Sequence, residues 1–140
     1  MTKFSTNAIT ARYAALRGWP CETVQVWRGN KRHDLFGVAD SLILHPAGPM
    51  LVQNCHAGSI PAHRRKLEEM PTIIGKLLEC GFLIELWEWK RKKHNGRYQW
   101  FLRREDYEWS PAKGRAPWEG PYDLYPKKPK SNGLDVRTEN

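Results

Sequence analysis

Long hydrophobic runs are missing from this 140-residue chain. No stretch approaches the roughly 18 apolar residues of a membrane span, so a spanning protein is not expected. The opening MTKFSTNAITARY has no apolar core of the signal-peptide kind, and a cytoplasmic location is the expectation. Cysteines number three, Cys21, Cys55 and Cys80, with no CxxC pair. That excludes a disulfide framework and a zinc knuckle, and reduced, buried thiols are expected. The five histidines are scattered, and His56 and His63 merely straddle a turn, which gives no zinc pattern. No internal repeat is visible. Acidic residues are few beside basic ones, 15 against 23.

That imbalance leaves a net charge of +8 and a pI near 9.6. Such a surface favours an acidic partner, nucleic acid first and an anionic membrane surface second. Hydrophobic residues make up 40% of the chain, enough for one folded domain with a core.

Periodicity orders the elements. In STNAITARYAALRG, Ile9, Tyr13 and Leu16 recur at helical spacing, with Ser5 or Thr6 as cap and Gly18 as terminator. ETVQVWR alternates, with Val24 and Val26 on one face and Gln25 and Trp27 on the other, and reads as a strand. RGNKRH is a basic turn. FGVADSLIL and MLVQNC are the next two strands, joined through HPAGP. Pro61 suits a helix first turn, and Pro71 divides the following segment into a basic helix and an apolar one carrying Ile73, Ile74, Leu77 and Leu78. FLIELWEWK and RYQWFLRR form a hairpin about HNG. From about residue 106 to 140 the composition turns to Pro, Gly, aromatics and charge. This part reads as an extended tail after a domain of residues 1–105, docked through Trp109, Trp118 and Tyr122, with about the last ten residues loose.

Strand phase selects the candidate chemistry. Val38, Asp40, Leu42 and Leu44 share a face, as do Leu51, Gln53 and Cys55. Pairing through HPAGP brings Asp40 and Gln53 together near the open end of the two strands. An Asp and a second oxygen donor suit a hard cation such as Mg²⁺ or Mn²⁺, with the Asn54 carbonyl as a third ligand. Such an ion polarises a phosphodiester and activates water. The bland alternative is a turn-capping Asp beside a hydrogen-bonded Gln.

Element order and residues together resemble the PD-(D/E)XK nuclease-like superfamily, with a helix, three strands, a helix and a further strand. VAD places Asp40 at that family's Asp position, and QNC stands where E-x-K belongs. More narrowly, DLFGVAD, LVQNC, RRKL and ELWEWKRK are similar to short phage and prophage proteins that carry Gln in place of the motif Glu. The resemblance spans about residues 5–105. It implies a restriction-endonuclease-like α/β core and a catalytic set of Asp40, Gln53 and a basic group. Two departures stand out. Gln53 is neutral, and Cys55 replaces the motif lysine. Lys66 on the following helix is the candidate substitute, with Arg64 or Arg65 next. Asp34 is a second candidate acid, or a cap.

Three basic clusters stand out: Arg28, Lys31, Arg32 and His33, and His63 to Lys66, which flank the Asp40 strand; and Lys90, Arg91 and Lys92 through His94, at the hairpin. Each alone suits a solvated face. Beside a phosphodiester site, Arg28, Lys31, Arg32, Arg64, Arg65, Lys90, Arg91 and Lys92 are expected to contact phosphates. Trp87, Trp89 and Trp100 are expected in the core rather than stacked on bases. Two functions follow as expectations. One is a Mg²⁺-dependent DNA endonuclease or resolvase-like phosphodiesterase. The other is an inactive, nuclease-derived protein that binds nucleic acid or a host defence protein. A homodimer fits either.

Overall fold

The computed structural model describes residues 5–124. Ser5 starts helix α1 (Thr6–Arg17) by accepting the Ala8 N–H at 3.0 Å, a side-chain oxygen standing in for the missing turn. Gly18 ends it at φ 81°, where a side chain would be strained. Ile9 and Tyr13 are buried as their spacing predicts, whereas Leu16 is exposed.

A six-stranded mixed sheet follows, built from β1 (Cys21–Thr23), β4 (Ser41–His45), β5 (Gly48–His56), β6 (Leu83–His94), β7 (Arg97–Asp106) and β8 (Glu119–Tyr122) in the order β1-β4-β5-β6-β7-β8. Only β5 and β6 pair in parallel. A parallel pair needs a crossover, and α2 (Ile60–Glu68) and α3 (Pro71–Glu79) provide it, divided at Pro71 as expected. Three helices and this sheet make a mixed α/β fold among the described residues. None of those helices is long and apolar enough to cross a membrane.

Alternation along β5 separates two cores. Met50 and Val52 join Ile9, Tyr13, Trp87 and Trp89 under α1. Leu51 and Cys55 join Ile60, Leu67, Ile74, Leu77 and Leu86 under α2 and α3. The sheet is therefore the middle of three layers. Trp87, Trp89 and Trp100 are all buried, as core residues should be.

Several expectations change. ETVQVWR is not one strand. Residues 21–23 pair with β4, while β2 (Val26–Arg28) leaves the sheet to form a separate ribbon with β3 (Lys31–His33). The break falls at Val24 and Gln25, where the Val24 N–H donates to the Asp40 carbonyl at 3.0 Å. The strand expected at residue 36 begins at Ser41, because Phe36 and Gly37 form a tight turn. Of the thiols only Cys55 is buried, with Cys21 half-buried and Cys80 exposed. After residue 105, Trp118 lies against Lys90 and Arg103, and Glu119–Tyr122 adds β8 to the sheet where an extended tail was expected. The expected loose end falls at 131–140, outside the described residues.

Candidate functional site

The ladder places Ser41 opposite Val52, which carries Asp40 to the level of Gln53. Asp40 precedes β4, so the Asn54 N–H on β5 has no main-chain partner across the sheet there. The Asp40 carboxylate takes that N–H at 3.0 Å through Oδ1. Gln53 Nε2 donates to Asp40 Oδ2 at 3.4 Å, the long end of a hydrogen bond. The two side chains converge on the α2 side of the sheet, as their phase requires. Asp40 does not lie at an open end, however. It is only 6% exposed, and Gln53 is also buried.

Burial leaves a mark on both groups. It pushes the Asp40 carboxyl from 3.8 up to about 7. The Asn54 N–H pulls down against this, nearby Asp34 adds to the rise, and Lys66 opposes it. Gln53 Oε1 is buried and has no hydrogen-bond partner. An orphaned acceptor beside a carboxylate is costly in a dry site, at about 1–3 kcal/mol. A half-turn of the amide would bring Oε1 to the carboxylate, so the pair accommodates a shared cation or a shared proton.

Lys66 and Asp34 flank this pair. Lys66 Nζ lies 3.4 Å from Asp34 Oδ2. Asp34 Oδ1 accepts Gln25 Nε2 at 2.7 Å, and Gln25 Oε1 accepts Arg32 at 2.9 Å and Asn7 Nδ2 at 3.0 Å. Asp34 is thus a hub within reach of Asp40's field. The Asn54 side chain points the other way, towards α1. Its Nδ2 donates to Asn7 and Ser41 at 2.8 and 2.9 Å, and its Oδ1 accepts Thr10 Oγ1 at 2.5 Å. Trp89 Nε1 donates to the same Thr10 oxygen at 2.9 Å. Sequence reading missed Asn7, Thr10 and Gln25. Asn7 and Thr10 gave only a polar pair spaced three apart beside Ile9, and Gln25 read as one face of a strand.

Cys55 belongs to the apolar core under α2. Burial, with Asp40 and Glu88 nearby, pushes its thiol upwards, so it carries no charge and does not replace a lysine. It pairs in register with Glu88 of β6, another buried acid that the sequence reading passed over. Glu88 accepts Arg103 at 3.3 Å, Arg115 at 3.2 Å and the Gly58 N–H. Glu105 beside it accepts Arg64 at 3.0 Å and Arg115 at 2.9 Å. Burial alone would raise Glu105, but those arginines and the Ala116 N–H outweigh it and hold its pKa low.

Arg64, expected at a phosphate, is already engaged within the protein. It clasps Glu105 and the Tyr107 and Asp106 carbonyls, tying α2 to the end of β7. Lys90 lies against Phe101 and Trp118, and Arg91 against Tyr98. Arg32 covers Trp27. Arg28, Lys31, Arg65 and Lys92 are exposed and have no ion-pair partner among the described residues. Nor do three His, Cys, Asp or Glu side chains converge there into a metal-sized cluster.

No protein-family model matches the chain, and no curated protein or solved structure does either. The site itself offers one buried carboxylate, one orphaned amide oxygen, and an Asp–Lys pair beside them.

Proposed function

We propose that this protein is a divalent-cation-dependent phosphodiesterase acting on DNA, built on a restriction-endonuclease-like core with a diverged site. The orphaned Gln53 Oε1 beside the buried Asp40 carboxylate is the observation that carries this reading. An amide oxygen left without a partner beside a carboxylate suits a hard cation. Asp40, Gln53 and the Asn54 carbonyl would hold Mg²⁺ or Mn²⁺, which supplies neutralising charge at a scissile phosphodiester. Lys66 takes the part that Cys55 does not fill, stabilising negative charge that develops on the phosphoryl oxygens. Asp34 keeps that ammonium in place. Arg28, Lys31, Arg65 and Lys92 anchor the backbone without reading sequence. A cytoplasmic setting suits such a substrate.

Cleavage of linear, nicked and branched DNA, with Mg²⁺ or Mn²⁺ against EDTA, tests this. Activity should depend on the cation and vanish in Asp40→Asn and Lys66→Met. Cleavage that persists in Asp40→Asn would refute the site.

A second reading has its own support. The neutral Cys55 and the tendency of Asp40 to keep its proton weaken the charge available for catalysis. A protein that binds nucleic acid, or a host protein, without cutting would show the same basic surface and no cation-dependent cleavage.

A further inference from the structure

The β2–β3 ribbon stands apart from the main sheet, and a cleft of about 390 Å³ separates it from the turn at residues 34–37. Val24 and Val26 line this cleft on the ribbon side, with Arg28 and His33 at its rim, and Leu35 and Phe36 on the turn side. Phe36 has two unusual properties. Its side chain is 57% exposed. Its backbone also has φ 56°, in a turn closed by the Val38 N–H on the Leu35 carbonyl at 2.9 Å. A mirror-image turn needs positive φ at both central residues and ordinarily takes Asn or Gly there. A bulky aromatic held in that strained position, displayed to solvent, is the kind of outlier associated with function. Apolar walls, an aromatic side chain and the Arg28 guanidinium together match one ligand chemistry, a flat heterocycle linked to phosphates.

We propose that this cleft is a base-binding site, in which an unpaired nucleobase stacks on Phe36 while Arg28 and His33 engage the flanking phosphates. The proposal rests on the nucleic-acid reading above and names the substrate class: duplexes with an extruded or unpaired nucleotide. The cleft adjoins the candidate site directly, since Asp34 lines its inner end and Val24 is hydrogen-bonded to Asp40. A base seated there would position a neighbouring phosphodiester beside Asp40 and Lys66.

The test uses two fluorescein-labelled duplexes of one sequence, one fully paired and one with a single extrahelical adenine. Affinities are read by anisotropy at low salt in EDTA, so that no cleavage intervenes. Wild type should prefer the bulged duplex about ten-fold, the scale of one base stacked on an aromatic ring. Phe36→Asn removes the ring and suits the turn, so the chain folds while the preference falls to near unity. Phe36→Tyr should retain it. Trp27→Ala should retain it as well, because Trp27 projects from the opposite face of β2 to Val26 and Arg28. A wild-type ratio of one, or a preference that survives Phe36→Asn, overturns the base site and leaves the nucleic-acid reading standing. Failure of wild type to bind either duplex overturns both. Sedimentation of the free chain covers the remaining occupant: a dimer that Phe36→Asn converts to monomer overturns the proposal in favour of a second copy.

Discussion

Asp40→Asn, followed as stability against pH, probes the site without assuming any activity. In the fold, burial raises the Asp40 carboxyl from 3.8 to about 7. Between those values the folded state keeps a proton that the unfolded chain has released. Stability linked to Asp40 is therefore complete below about pH 4, declines as pH rises towards 7, and stays low above that. At roughly 1.4 kcal/mol per pH unit, three units of displacement cost the fold about 4 kcal/mol at pH 8. Asparagine preserves shape and still accepts the Asn54 N–H through its amide oxygen, but it does not titrate. The difference in unfolding free energy between variant and wild type, from urea denaturation in EDTA across pH 4–8, should grow in favour of the variant. At pH 8 it should reach several kcal/mol, on the order of 10 °C in Tm. Mn²⁺ at pH 8 should stabilise wild type and leave Asp40→Asn unmoved, since a ligand stabilises only the state that binds it. A difference that stays flat with pH would show that Asp40 ionises freely in the fold and is not the buried group described here.

Four further outcomes are expected. Thr10→Val deprives Asn54 Oδ1 and Trp89 Nε1 of their common partner and should cost about 2–4 kcal/mol in chemical denaturation. Arg64→Ala should cost about 1–3 kcal/mol of stability by unclasping Glu105, yet leave DNA affinity at the wild-type level. Arg65→Ala should do the reverse, weakening all DNA sequences equally, and the logarithm of the wild-type affinity should fall linearly with log[salt]. Gln53→Glu should lower stability in EDTA and tighten Mn²⁺ binding in calorimetry, because it adds a second carboxylate beside Asp40.

Local signals carried much of the fold in the sequence. A Ser cap and terminal Gly bound α1, Pro71 divides the crossover, and Asn95–Gly96 turns the β6–β7 hairpin with both residues at positive φ. Strand phase also brought Asp40 and Gln53 to one face, because a period of two leaves only two choices. What local signals lack is the identity of a distant partner. Alternation in ETVQVWR is satisfied equally by one strand or by two short ones in different sheets. The split is set by Gln25, which reaches Asp34, Arg32 and Asn7 instead of continuing the ladder. The HRRK run does not mark which arginine turns inwards, since Arg64 is claimed by Glu105, 41 residues away. Asn7 and Thr10 resemble a solvated helix face until Asn54 is packed beneath them.

On the proposed nuclease-like reading, the two departures at Gln53 and Cys55 are physically linked through burial. A Glu at position 53 would set a second carboxylate against Asp40, and like charges at such range resist joint ionisation. In the proposed nuclease-like pattern, a lysine two residues on offsets them. Here that position holds Cys55 among apolar side chains, and its in-register neighbour Glu88 is already matched by Arg103 and Arg115. A lysine at 55 would enter a dry site whose acid is spoken for, while a glutamate at 53 would find Lys66 already paired with Asp34. Replacing both together keeps the local charge count low in the absence of a metal. The neutral pair leaves Asp40 free to hold a proton in the resting state, with Gln53 Oε1 as a waiting acceptor. On the proposed reading, an entering cation must displace that proton, so any cation-dependent step should strengthen as pH rises through 7.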